Sequence, residues 1–133
     1  MLKTVNLINF GAFLKEDIIN AIGEEHSIFV KQINIKNTSL NLKKHSTFIQ
    51  VHDLVEQNKD YFSEDFIVNL PGLPIFAAML IAEIHGLTGA FPKIVECVKD
   101  YSQEGMFSEF KYKRLYNLDR ERTQSRENYK KFN

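Results

Sequence analysis

The stretch Phe66–Pro92, FIVNLPGLPIFAAMLIAEIHGLTGAFP, constrains the fold more than any other part of the chain. Phe66-Ile67-Val68 is a short apolar run that reads as a buried strand, and Asn69-Leu70-Pro71-Gly72 ends it in a turn with a Pro-Gly pair. From Pro74 to His85 only Glu83 and His85 are polar. Proline suits the first turn of a helix, where a missing N–H costs nothing. Gly86 is the expected left-handed stop, with Gly89 and Pro92 preventing continuation. A helix of about 12 residues spans roughly 18 Å, whereas crossing a bilayer takes about 20 apolar residues. A helix apolar on all sides is a buried one. The expected unit is therefore a strand, a tight glycine turn and a central helix, set in the middle of a sheet.

The flanking segments supply the rest of that sheet. Thr4–Asn9 is an apolar-leaning strand, turned at Asn9-Phe10-Gly11-Ala12. Leu14–Glu25 reads as an amphipathic helix, with Leu14, Ile18, Ala21 and Ile22 at helical spacing. His26–Ile35 alternates apolar and polar residues, the pattern of a strand near a sheet edge. After a polar loop at Asn37–Lys44, Ser46 or Thr47 is placed to cap a helix running to Asn58, with Phe48, Val51, Leu54 and Val55 as its apolar stripe. Lys93–Lys99 is a fourth strand, Tyr101–Gly105 a turn, and Phe107–Tyr116 a strand expected to return antiparallel as a hairpin. Leu118–Asn133 is dominated by charged and amide side chains and reads as a surface helix or a tail.

The order β-α-β-α-β-α-β-β implies an α/β fold: a three-layer, mostly parallel sheet with right-handed crossovers and a C-terminal antiparallel hairpin strand. Residues 1–117 form one domain in this reading, and 118–133 a charged C-terminal helix or tail. Such sheets bind ligands at the carboxyl ends of strands whose crossovers go to opposite faces. The first and third strands are the expected central neighbours. That brings Asn9, Phe10, Gly11 and Ala12 to the same crevice as Asn69, Leu70, Pro71, Gly72 and Leu73. Glycines let a backbone approach a ligand, and the helix starting at Pro74 aims free N–H groups and a positive dipole end there. Phosphate is the chemistry this suits. The plain alternative is that both glycines only permit tight turns. Neither GxGxxG nor GxxxxGK[ST] occurs, so nicotinamide and P-loop nucleotide chemistry are unsupported.

Other side chains carry less. His85 falls at the far end of the central helix from Gly72, roughly 18 Å away, and suits a dipole-offsetting role. His45, beside Lys43 and Lys44, is better placed for the crevice, although a solvated loop residue is the simpler reading. The four histidines share no ligand spacing with carboxylates, so no metal and no cofactor is expected. Cys97 stands alone within an apolar strand, which excludes an internal disulfide and points to an inert thiol in a reducing compartment. The N-terminus lacks the basic start and apolar core of a signal peptide, so a cytoplasmic protein is expected, with no membrane partner. Lys+Arg and Asp+Glu both total 17, so the charge balance announces no direct DNA binding. The stretch from Phe107 onward holds eight Lys/Arg against four Asp/Glu. There, Arg122 and Arg126 would share a helical face while Arg120 points away, and a phosphate-rich surface would suit the pair.

The residues VNLPGL, AEIHG and the G-x-F-P-x-I-V that follows resemble a small CRISPR-associated family, one of the Csx accessory proteins of type III systems. The likeness covers Val68–Val95 most fully, Val5–Phe10 in part and Leu118–Arg126 loosely. It implies a Rossmann-like domain similar to CARF domains that binds the cyclic oligoadenylate messenger of type III antiviral defence. Members of that family look like ring nucleases or sequestering sponges. A ring nuclease without metal uses the ribose 2′-OH as nucleophile and must align it and stabilise the developing charge. The turns NFGA and NLPG contain no ionisable residue, so catalysis would have to draw on His45, Lys99 or the tail arginines. The expected function is thus binding of cyclic oligoadenylate, with cyclic tetra-adenylate the favoured ring, mainly by sequestration with slow cleavage. A homodimer or ligand-bridged oligomer is expected, because a symmetric ring suits a two-fold site. The alternatives are a metal-independent ring nuclease and a ligand-switched regulatory or scaffolding module.

Overall fold

The computed structural model describes residues 2–43, 45–100 and 109–130. Lys44, the expected Tyr101–Gly105 turn, the start of the last strand at Phe107 and residues 131–133 lie outside them. Among the described residues the elements follow the expected order: β1 (Lys3–Asn9), α1 (Glu16–His26), β2 (Ile28–Asn34), α2 (Thr47–Gln57), β3 (Phe66–Asn69), α3 (Pro74–Thr88), β4 (Lys93–Asp100), β5 (Glu109–Asn117) and α4 (Leu118–Lys130). A single 3₁₀ turn, Lys59–Phe62, follows α2.

The strands form one mixed sheet in the order β2-β1-β3-β4-β5. β1 runs parallel to β2 from Lys3↔Ile28 to Asn9↔Asn34 and parallel to β3 from Asn6↔Phe66 to Asn9↔Asn69. β3 and β4 are parallel but pair only at Ile67↔Lys93 and Val68↔Ile94. β4 and β5 form the antiparallel pair, from Lys93↔Asn117 to Asp100↔Glu109, with an irregularity between Glu96 and Cys97. As the alternation in its sequence implied, β2 is an edge strand, and β3 is the middle one.

Alternation along β1 divides the core, because successive side chains of a strand point to opposite faces. Val5 and Leu7 pack with Ile18, Ile19 and Ile22 of α1, joined by Val30 and Ile67. Ile8 and Phe10 pack on the other face with Val51, Leu54 and Val55 of α2 and Phe76, Leu80 and Ile84 of α3. The chain therefore leaves β1 toward one face and β3 toward the other. At the opposite edge Asp65 ties Lys3 of β1 (3.5 Å) to Lys93 of β4 (3.2 Å). Partial burial pulls its carboxyl upward, but Lys93 and then Lys3 outweigh that and leave it below the ordinary carboxylate value.

Three local expectations are corrected. α3 does not stop at Gly86 but runs to Thr88, and Gly89 supplies the left-handed C-cap at φ 79°, its N–H bonding the carbonyl of His85. Nor is α3 buried all round. Only Phe76, Leu80 and Ile84 are buried; Ile75 is 44% exposed, and Ala78, Ala82 and Gly86 face outward. One flank meets α2, where His52 Nδ1 lies 2.9 Å from Glu83 Oε2. Finally, Phe48 is exposed and stacks on the His52 ring at 6.2 Å instead of joining the stripe of Val51, Leu54 and Val55. No helix among the described residues is long and apolar enough to cross a membrane.

Candidate ligand-binding cleft

The carboxyl ends of β2, β1 and β3 finish in register on three asparagines, Asn34, Asn9 and Asn69. Asn9 is the buried polar residue at their centre. Its Oδ1 accepts from the Gly11 amide (2.8 Å) and from Asn69 Nδ2 (2.9 Å). Its Nδ2 faces Ala12 O (2.9 Å), Gln32 Oε1 (2.9 Å) and Asn34 Oδ1 (3.1 Å), three acceptors sharing two hydrogens. Gln32 also clasps Leu14, accepting from its N–H at 3.1 Å and donating to its carbonyl at 3.0 Å. The backbone adds Phe10 N–H to Asn69 O at 3.0 Å. The two turns are thus bolted together by uncharged amides. Gly11 is required for this, since a Cβ there would collide with the Leu70 carbonyl oxygen. Gly72 is different: a Cβ there meets nothing within 4 Å.

Because β3 and β4 separate after Val68↔Ile94, a gap opens beside the turns. It forms a cleft of about 900 Å³. One wall is Ala12–Lys15 with Asn69, Leu70 and Gly72; the other is Ile94–Cys97 of β4 with Glu109, Phe110 and Tyr116 of β5. Lys15 and Glu109 bridge the walls at 3.2 Å. Glu96 is held by Lys113 (3.5 Å) and the Tyr116 hydroxyl (3.3 Å). Burial, then the Glu96 charge, pushes the Cys97 thiol up, so it stays protonated at neutral pH.

The three helices that begin at this edge start differently. α1 has Glu16 and Asp17 in its first turn, and Asp17 Oδ1 accepts from Ile18 N–H. In α2, the Ser46 side chain accepts from Ile49 N–H. α3 has neither acidic residue nor side-chain cap; Pro74 fills its first turn, and its first backbone bond runs from Ala77 N–H to Leu73 O. The positive end of α3 is left uncompensated next to Gly72.

Not every expected site residue reaches the cleft surface. Ala12, Asn69, Leu70 and Gly72 line it, while Asn9 and Gly11 form the frame beneath. Phe10 turns into the core between Phe62 and Phe76, both 6.4 Å away, so only its backbone serves the turn. Pro71 and Leu73 flank Gly72 without lining the cleft. His45 is exposed ahead of α2 and does not line the cleft, its carbonyl accepting from Gln50. Lys99 stands over the Phe110 ring at 5.8 Å, at the rim. Arg122 and Arg126 are on α4, which leaves β5 where Leu118 N–H bonds Pro92 O, at the opposite edge of the sheet. Arg122 lies over Phe91 at 5.5 Å, and Arg126 is exposed. Arg120 instead lines a second cavity of about 710 Å³ at that lower edge, with His26, Asp65 and Lys93. Phe13, Lys15, Gln32 and Phe110 were not singled out by the sequence, because isolated loop and strand-end residues leave no periodic signal.

No family model matches the chain, and neither a curated protein nor a solved structure does.

Proposed function

We propose that this protein is a Rossmann-like, CARF-like domain of the Csx type that binds a cyclic oligoadenylate, cyclic tetra-adenylate in the first instance, and lowers its free level in the cytoplasm during type III CRISPR defence. The observation that carries the reading is the uncapped, acid-free start of α3 opening beside Gly72 onto a cleft at the ends of β1 and β3. A phosphodiester is the group such a site favours, through backbone N–H donors and the dipole. The open space at Gly72 supports close approach of a ligand. Retention is favoured over cleavage because, among the described residues, the ionisable groups lining the cleft, apart from the protonated Cys97 and the Tyr116 phenol, are Lys15, Glu96 and Glu109, and each of these three is already paired. None is free to align a 2′-OH or support a leaving oxygen.

The ring's symmetry suits two copies of the same turns. The outer side of α3 provides a face for the second copy, carrying Ala78, Ala82 and Gly86 without a charge. Ala82→Glu is expected to convert a dimer to a monomer in sedimentation velocity.

Labelled cyclic tetra-adenylate incubated with the protein in EDTA is expected to be retained stoichiometrically and recovered intact. Linear product would replace the sponge reading with the ring nuclease. Gly72→Val is expected to abolish retention at unchanged melting temperature, and unaltered affinity in that variant would move the site elsewhere.

A further inference from the structure

Phe13 lines the cleft and is 70% exposed. Its neighbours are fixed. Ala12 O accepts from Asn9 and Asn69, and Leu14 is clasped through both backbone groups by Gln32. Four side-chain amide bonds therefore hold the backbone on either side of a ring left mostly open to solvent. Besides joining the two turns, these bonds fix the direction in which the loop presents the Phe13 ring. Phe110, 53% exposed, lines the same cleft from β5, and Lys99 sits over its ring.

The geometry points to Phe13 and Phe110 as stacking platforms for planar bases, making the cleft specific for the nucleobase part of a nucleotide and not for phosphate alone. Aromatic faces take up unstacked bases, and purines offer the largest surface. A cation over Phe110 puts a positive charge next to a stacked base, where its phosphate follows. The uncapped start of α3 would hold a phosphate on the other wall. This rests on the nucleotide reading above and adds which side chains read the base.

The chain contains no tryptophan, so Phe13→Trp supplies a single reporter at the cleft. Adding cyclic tetra-adenylate, AMP or ribose 5-phosphate to that variant separates base from phosphate. Quenching of the emission by AMP but not by ribose 5-phosphate is expected. In calorimetry Phe13→Ala and Phe110→Ala should each lose roughly tenfold or more in affinity for cyclic tetra-adenylate, while Phe13→Trp stays within about threefold of the parent. If the parent binds cyclic tetra-adenylate and Phe13→Ala binds it equally well, stacking at Phe13 is wrong while the nucleotide reading stands. If cyclic tetra-adenylate is not bound but AMP still quenches the reporter, stacking stands and the cyclic ligand is wrong. Equal responses to AMP and ribose 5-phosphate overturn the stacking role.

Discussion

β1 and β4 are both interior strands of one sheet, yet Leu7 and Ile8 of β1 are wholly buried while no described side chain of β4 is. The difference extends to whole halves of the molecule. Core residues are contributed by every element from β1 to α3, and from Lys93 onward no described residue is buried. The strand residues themselves do not explain this, because Ile94-Val95-Glu96-Cys97-Val98 is as apolar as Val5-Asn6-Leu7-Ile8. Coverage does. β1 lies between α1 and the α2–α3 layer, whereas β4 parts from β3 after two register pairs and joins, with β5, only the core on the α1 face, through Val95, Cys97, Tyr112 and Leu115. An apolar strand thus reports what it could bury, and neighbouring helices decide what it does bury. The cleft lies along the seam between the packed half and the open one.

The contrast can be broken most directly in the two halves at once. Leu80→Ala empties a fully buried position and is expected to cost about 2–5 kcal/mol in urea unfolding. Val95→Ala on the half-exposed strand should cost under about 1 kcal/mol, since little area leaves water there. Equal losses would mean that β4 is as well covered as β1. At the seam, Gly11→Val forces a side chain against the Leu70 carbonyl and is expected to cost about 1–3 kcal/mol. The same change at Gly72 should be near neutral for stability. If both glycines respond alike, the turns are not bolted as described.

Removing α4 sharpens the comparison at its open end. No residue of α4 is buried, so truncation after Asn117 should shift the melting temperature by less than about 4 °C, the change expected of under 1 kcal/mol in a chain this size. Affinity for cyclic tetra-adenylate should stay within about threefold. A salt-dependent loss of tenfold would instead bring Arg122 and Arg126 of a second copy to the cleft.

The smallest effect belongs to the packed half. Glu83, through its hydrogen bond and then its charge, raises the His52 pKa above the ordinary 6.5. A raised histidine stabilises fully below its unfolded pKa and loses that contribution as pH climbs through the folded one. Stability should therefore decline slightly from about pH 6.5 upward, and His52→Gln should flatten that part of the profile. An unchanged slope would remove the α2–α3 ion pair from the account. Both groups reach solvent, so the effect is small.

Most of the fold was legible because periodicity and breakers mark it: the β-α order, the Ser46 cap and the edge position of β2 all follow from local pattern. What escaped depended on partners distant in sequence. Gly86 looked like a helix stop because glycine is permitted there, but of the two glycines at this end of α3 it is Gly89 that adopts a positive φ. Uniform apolarity of α3 could not say which side lacks a neighbour. At the cleft, the meeting of Asn9–Ala12 with Asn69–Gly72 followed from topology. Phe10, though, faces the core as its alternation with Ile8 dictates, and Phe13 emerges only once Gln32 is seen to hold Leu14.

The Asn34–Asn9–Asn69 row has one more consequence. Neither these side chains nor Gln32 carries a proton that comes off or goes on between strongly acidic and strongly alkaline solution. The frame that spaces the two turns is silent to titration, unlike the Asp65 clamp at the far edge. Acidification would release that outer tie and leave the spacing of the two turns unchanged.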